Sequence, residues 1–247
     1  MPRKARTESL ADQHAAPGGA AAVDRALTLL AAFRAGDNAL SLVELVARTQ
    51  LYKSTALRLL ASLEHARLVQ KQEDGRYTLG AEVARLHGVY AASFALDRVV
   101  LPVLRQLAAT TQESAAYHVR QQGPGAQWAR LCLYRVDSPH AVRDHVRAGD
   151  LLPHDRGAGA RVLLACSDTP VPGASAQERL LYAAIRAQGY CAIIGDRTAE
   201  LAGISAPVFH ADGSLAGAVT LTMPSQRYNE RWVKPVLEAS RNLSGLV

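Results

Sequence analysis

Between residues 41 and 80 the sequence spells a capped short helix, a four-residue turn, a two-faced helix and a hairpin, an order that few folds accommodate. In Ser41-Leu42-Val43-Glu44 the serine oxygen takes a first-turn amide while the glutamate reaches back to the serine amide. That capping box starts a short helix running to about Arg48. After Thr49-Gln50-Leu51-Tyr52 another helix opens near Lys53 and continues to about Ala66, so the pair reads as a helix-turn-helix. At about 100° per residue, Ala56, Leu57, Leu59, Leu60 and Leu63 share one arc and Ser54, Thr55, Arg58, Ser62 and His65 the other. One arc is core; the other is polar and cationic. Leu68 to Gln72 and Arg76 to Gly80 then read as strands around Glu73-Asp74-Gly75, with Val69, Tyr77 and Leu79 pointing inward. The sum predicts a winged helix-turn-helix.

A polar helix face is in most proteins merely solvated, so this one gains meaning only from its neighbours. Lys53, Ser54 and Thr55 open the helix where hydroxyls, amides and a cation suit phosphate, while Arg58 lies one turn further in, where a side chain reaches base edges, and Ser62 follows on the same DNA-facing arc. Arg76 sits on the wing, and the order of parts is the one a DNA reader needs. Charge does not decide the matter. The net formal charge of +6 is spread evenly, with 11 basic and 8 acidic residues in 1–80 (11 − 8 = +3) and 17 and 14 in 81–247 (17 − 14 = +3).

Upstream, residues 1–20 carry Arg3, Lys4 and Arg6 and then an Ala/Pro/Gly stretch without periodicity, which predicts a disordered basic tail. Val23, Ala26, Leu27, Leu30 and Phe33 recur at helical spacing until Gly36-Asp37-Asn38, so the winged domain spans 21–80. Downstream, Leu86, Val89, Tyr90 and Phe94, then Val99, Val100, Val103, Leu104 and Leu107, predict helix interrupted near Asp97 and Pro102. We read 81–97 as a linker helix and 98–247 as a second domain. In it, Ser114 to Gln121 and Trp128 to Val136 predict strands around Gly123-Pro124-Gly125, Val142 to Arg147 a third, and Ala206 to His210 with Leu215 to Met223 a hairpin around Asp212-Gly213. Strands mixed with helices make this an α+β chain with a sensor-like second domain. There Ala158 and Gly159, small residues at a helix start, let backbone amides approach an anion. Thr220 and Thr222, two apart on a strand, face one side, either to meet a carboxylate or hydroxyl or simply to be solvated.

No apolar run approaches the roughly 18 residues of a bilayer span, and the first 20 residues lack the apolar core of a secretory signal, so a cytoplasmic protein without membrane contact is expected. Cys132, Cys166 and Cys191 are odd in number and contain no C-x-x-C pair, which argues against a disulfide framework or thiolate zinc site. Asp137, His140, Asp144 and His145 cluster in sequence, but on an expected strand and its approach, and no H-E-x-x-H or G-x-S-x-G context exists. We expect no catalysis, metal or cofactor.

The segments AVDRALTLLAAF, SLVELVARTQLYKSTALRLLASLEHARLV and GRYTLG resemble the N-terminal domain of the isocitrate lyase regulator (IclR) family of bacterial transcription factors. LYRVDSPHAVRDHVRAGDLLP, GAGARVLLA and GYCAIIGDRTAELAGISAPVFHADGSLAGAVTLTMP resemble its effector-binding domain, so the likeness runs from about Ala21 to the C-terminus. It implies a GAF-like second domain, an organic-acid effector, and a homodimer or tetramer on double-stranded operator DNA. Pocket positions carried over are Leu152, Ala158, Gly159, Ile193, Gly203, Thr220 and Thr222. Gln50 and Tyr52 stand where the family has Gly and Pro, which implies an altered turn. Asp155, Gly157 and Arg161 replace its usual His, Thr or Ser, and Lys, and the 23 residues between Ala165 and Gly189 are a shortened segment that implies a missing helix and a lobe more open on one side. Ile193 and Gly203 take places held by polar side chains in relatives that bind tiny oxo-acids, which favours a larger aromatic or aliphatic carboxylate. A winged-helix protein-interaction module and a ligand-independent DNA-binding protein are the alternatives. Salt-dependent binding to duplex DNA separates the first from a regulator.

Overall fold

The computed structural model describes residues 8–34, 36–94, 96–122, 128–168 and 173–247. The expected turn at Gly123-Pro124-Gly125 lies outside them. The described residues divide into two compact units, one running to Phe94, the other comprising 96–122 and 128–247.

The first unit is built from α1 (Leu10–Gln13), α2 (Ala21–Ala31), α3 (Leu42–Thr49), α4 (Lys53–His65), β1 (Val69–Lys71), β2 (Tyr77–Leu79) and α5 (Ala81–Phe94). The capping box forms as the sequence dictates: Glu44 N–H donates to Ser41 Oγ at 3.2 Å and Ser41 N–H to Glu44 Oε2 at 2.8 Å. Leu29, Leu45, Leu51, Ala56, Leu60, Leu63, Val69 and Tyr77 form the core. Two residues expected inside are not. Leu57 stays 43% exposed because it lies on the rim of the arc that α2 and α3 cover, and Leu79, opposite Val69 at the open end of the hairpin, is 46% exposed.

Part of the tail expected to be disordered is folded. Ser9 caps α1 by accepting from Asp12 N–H, Arg25 of α2 holds Asp12 at 2.6 Å, and Ser9 and Ala11 are buried. A local cap and one ion pair to the next helix give these residues the partners that their composition hid. Residues 1–7 lie outside the described set.

The turn between α3 and α4 shows how Gln50 and Tyr52 replace glycine and proline. Gln50 ends α3 at φ 58°, ψ 21°, a left-handed conformation that glycine takes freely, and Tyr52 precedes α4 at φ −64°, the value a proline ring fixes. The backbone path is therefore that of a Gly-x-Pro turn, adopted by residues that do not enforce it. Gln50→Gly is expected to stabilise the unit by about 0.5–1 kcal/mol, the left-handed cost relieved less the added freedom of the unfolded chain. A denaturant midpoint that falls in this variant would refute it.

In the second unit, α6 (Leu96–Thr111) leads into a six-stranded antiparallel sheet ordered β5-β4-β3-β8-β7-β6. Its strands are β3 (Ser114–Gln122), β4 (Trp128–Val136), β5 (Leu151–Leu152), β6 (Cys191–Ile194), β7 (Leu201–Phe209) and β8 (Leu215–Pro224). Side chains alternate across β8: Val219, Leu221 and Met223 pack under α6 and α9 (Val233–Leu243), against Leu104, Leu107, Val236 and Leu243. Ala218 turns the other way, toward α7 (Ala158–Ala165) and α8 (Ala176–Gln188), with Val162, Tyr182 and Ile185. The 165–189 segment thus retains one packed helix, which a second capping box at Ser175 and Glu178 opens.

Three expectations need correction here. Pro102 does not interrupt the helix but lies inside α6, where burial of Val100, Leu104 and Leu107 outweighs the lost backbone bond, whereas the break expected near Asp97 coincides with the boundary between α5, ending at Phe94, and α6, starting at Leu96. Val142 to Arg147 form no strand, because Asp144 turns inward to arginines and the outer edge of β4 is occupied at Cys132 by Gly149 and Asp150. Finally, β7 begins at Leu201, and β6, unanticipated, pairs with it.

Candidate functional site

The first candidate surface is the outer side of α4. Lys53 is its first residue; Ser54, Arg58 and Ser62 are exposed on it, Thr55 is half-buried, and Ser62 Oγ donates to the Arg58 carbonyl at 3.4 Å. The core side of the same helix is fixed by Ala56, Leu60 and Leu63. Arg76 lies at the hairpin, where its Nε donates to Asp74 Oδ2 at 2.7 Å, both side chains about half exposed. Ser54, Thr55, Arg58 and Ser62 therefore share a face, Lys53 stands at the start of the helix, and Arg76 is held by an acidic neighbour.

The second candidate is a cavity in the other unit, between the sheet and the start of α7. Leu152, Ala158, Ile193, Gly203, Thr220 and Thr222 all line it. Gly159 adjoins it, for a side chain there would come within 2.6 Å of Arg130 Nη1 and 2.8 Å of Thr220 Oγ1. Its free volume is about 30 Å³. Asp144, Val146, Leu152, Arg197 and Leu201 also border a roomier, open concavity of about 590 Å³. A polar inner chamber thus lies beside a wider outer one.

Sequence reasoning missed the groups that set the chemistry of the inner chamber. Arg130 is buried, its Nε has no hydrogen-bond partner, and no carboxylate among the described residues pairs with it. Burial, with Arg197 nearby, lowers its pKa to about 10. Around it the charges are matched: Asp144 pairs with both Arg135 and Arg197, and Asp196 takes Arg161 at 3.0 Å and the Gly157 amide at 2.5 Å. Burial raises the Asp196 carboxyl, but the bonds from Arg161 and Gly157 outweigh it and the net shift is downward. Gly157 sits at φ 88°, ψ 150°, a region essentially reserved for glycine, which lets α7 start at the cavity wall. Of Asp137, His140, Asp144 and His145, three are exposed and Asp144 alone is buried, between arginines. Burial also raises the thiols of Cys132 and Cys166 to about 11 and of Cys191 to about 12, which keeps them unreactive.

His118, on β3 opposite Cys132, completes the chamber. Its Nδ1 lies 3.1 Å from Thr220 Oγ1, Thr220 Oγ1 lies 2.9 Å from Ser205 Oγ, and Ser205 Oγ donates to the Val219 carbonyl at 2.8 Å. Burial, followed by the field of Arg130, Arg135 and Arg197, holds the imidazole well below its usual 6.5. The unfolded chain therefore binds a proton below about pH 6.5 that the folded chain refuses. Stability is full above that pH and is lost as pH falls from there toward the folded-state value, by up to about 1.4 kcal/mol per unit. His118→Phe is expected to flatten this part of the stability profile between pH 7.5 and 5; equal slopes in both proteins would refute it.

Residues 22–73 match the IclR helix-turn-helix domain, and residues 177–245 match the bacterial transcriptional regulator IclR C-terminal domain. The glycerol operon regulatory protein of Streptomyces coelicolor is 27% identical over 88% of this chain and 91% of its own length. The HTH-type transcriptional regulator KdgR of Dickeya chrysanthemi is 25% identical over 96% and 83%. Among solved structures, an IclR transcriptional regulator from a Silicibacter species is 26% identical, covers 91% of this chain and 93% of its own, and superposes with a TM-score of 0.73. An IclR homologue from Microbacterium hydrocarbonoxydans, solved with 4-hydroxybenzoate, shares the fold at 22% identity, with a TM-score of 0.75 over 90% and 97% of the chains. No helix among the described residues is long and apolar enough to cross a membrane. With a helix-turn-helix unit, a sheet-rich effector domain and both matches in chain order, this protein belongs to the IclR family of transcriptional regulators.

Proposed function

We propose that the chain is a homodimeric, effector-controlled regulator whose inner chamber takes the carboxylate of a small organic acid. The observation that carries the effector class is Arg130, a buried guanidinium without a carboxylate partner among the described residues, beside the start of α7. A buried cation is costly unless paired, and a ligand carboxylate is the group that pairs it in bidentate form. The apolar walls at Leu152, Ile193 and Leu201 and the wider outer concavity favour an acid with an aliphatic or aromatic body. The homologue that holds 4-hydroxybenzoate is consistent with that class. A thermal-shift series that includes 4-hydroxybenzoate and benzoate beside their amides tests it, because a ligand that binds only the folded state raises its stability. Acids shifting the midpoint and amides failing to do so is the expected result. Amides that act equally well would overturn it, and absence of any acid response would leave the ligand-independent DNA-binding alternative.

On DNA, Lys53, Ser54 and Thr55 contact phosphate, Arg58 reaches base edges with Ser62 beside it on the same face, and Arg76 meets a flanking phosphate after leaving Asp74. Two copies reading a near-palindromic site follow from the few base pairs that one helix covers. Arg58→Ala is expected to cost about 1–3 kcal/mol on the specific operator and relax specificity at one position. Lys53→Ala is expected to weaken all sequences alike and reduce the salt slope by about 1. Parallel losses of specific and nonspecific affinity in both variants would contradict this division. The ligand alters operator affinity to the extent that it binds two arrangements of the dimer unequally, with a coupling of about 1–3 kcal/mol.

A further inference from the structure

The inner chamber holds a second unmet group of opposite character to Arg130. His118 Nε2 is fully buried and has no hydrogen-bond partner among the described residues, and the hydrogen-bond chain on the other side of the ring fixes what that nitrogen can do. A hydroxyl has one proton to give. Ser205 gives its proton to the Val219 carbonyl at 2.8 Å, so between Ser205 and Thr220 the proton comes from Thr220. With its own proton spent, Thr220 Oγ1 is an acceptor toward His118, and the proton in the 3.1 Å contact belongs to Nδ1. The reverse chain would set Ser205 Oγ against a carbonyl oxygen at 2.8 Å with no proton between them. Nε2 is therefore left as a bare lone pair. It accepts and cannot donate.

We infer that the chamber recognises a hydroxy acid: the carboxylate pairs with Arg130, and a hydroxyl on the same ligand donates to His118 Nε2. This rests on the organic-acid reading above and adds to it a second contact point, on a residue outside the pocket set that sequence comparison supplies. A carboxylate oxygen carries no proton to offer Nε2, so one acid group cannot serve both sites. The two unmet groups line one small cavity, which restricts the hydroxyl to a position close to the acid group. The neutral state of the ring follows from its burial and the surrounding guanidiniums. Thr220 takes a supporting part as the group that sets the tautomer, in place of direct contact with the ligand.

The test uses the full chain and three matched pairs: lactate and propionate, 3-hydroxybutyrate and butyrate, 2-hydroxyphenylacetate and phenylacetate. Calorimetric or thermal-shift titration is expected to show a hydroxy acid binding at least about tenfold tighter than its deoxy partner. In His118→Phe that preference is expected to vanish while carboxylate binding persists. Nitrogen-15 spectra of histidine-labelled wild-type protein, which need no variant to fold, are expected to show His118 neutral with Nδ1 protonated, and its Nε2 resonance moving only with the hydroxy acids. Equal affinities within every pair, retention of the preference in His118→Phe, or protonation on Nε2 would each overturn the inference while leaving the organic-acid reading intact. Failure of all six acids to bind would overturn both.

Discussion

Replacing Arg130 by methionine is expected to make the protein more stable and less useful at once. Arg130 is buried at 4% exposure and pairs with no carboxylate among the described residues, the nearby Asp144 being taken by Arg135 and Arg197. Replacing buried charge with an apolar group of similar length is often stabilising, by about 1–4 kcal/mol. The same change removes the group that we propose for the ligand's carboxylate, so acids that raise the wild-type melting midpoint are expected to leave the variant's unmoved. Chemical denaturation with and without ligand reads both effects. A variant that unfolds more easily would mean that Arg130 contributes to folding and is not held ready for a ligand.

Asp144→Ala is expected to act in the opposite direction and more strongly. Its carboxylate, 3% exposed, meets Arg135, itself 5% exposed, and Arg197 at 3.2 Å. Removing it leaves Arg135 with only the half-exposed Asp137 and adds uncompensated positive charge beside Arg130. Breaking a buried pair from one side costs about 3–5 kcal/mol. At roughly 2–4 °C per kcal/mol for a unit of this size, Tm is expected to fall by roughly 6–20 °C. Adding Arg135→Met to Asp144→Ala is expected to recover much of that loss, because the orphaned charge goes with it. A double variant no more stable than the single would show that the cost lies in packing instead.

What could be read from the chain without coordinates was mainly local. The capping box at Ser41 and Glu44, the two-faced α4 and the hairpin at Asp74-Gly75 are each specified within a dozen residues, and periodicity exposes them. Arg130 and His118 were less visible because they meet only after β3 and β4 pair, with His118 opposite Cys132 and Arg120 opposite Arg130. A faint signal existed. On β4 Arg130 falls in phase with buried Cys132, and on β3 His118 falls in phase with buried Ala116, so a charged or titratable group occupies an inward position on each strand. For Thr220 the sequence shows the residue but not the use of its hydroxyl, since the bond to Ser205 depends on β7–β8 register. Gln50 shows the converse. Its identity departs from the family pattern, yet the backbone keeps the left-handed turn, because the packed helices on both sides determine it.

The sheet's two edges differ sharply from its middle. β3, β4, β7 and β8 are nine or ten residues long, whereas the outermost strands, β5 and β6, have two and four. An edge offers another chain its unpaired amides and carbonyls, and here the short outer strands cover only part of their neighbours, β5 at Arg130 and Leu131 of β4 and β6 from Ala202 to Ser205 of β7. Partially unfolded chains that shed β5 and β6 would expose the long inner strands, so clumping should accompany loss of these two short pieces sooner than loss of the buried helices.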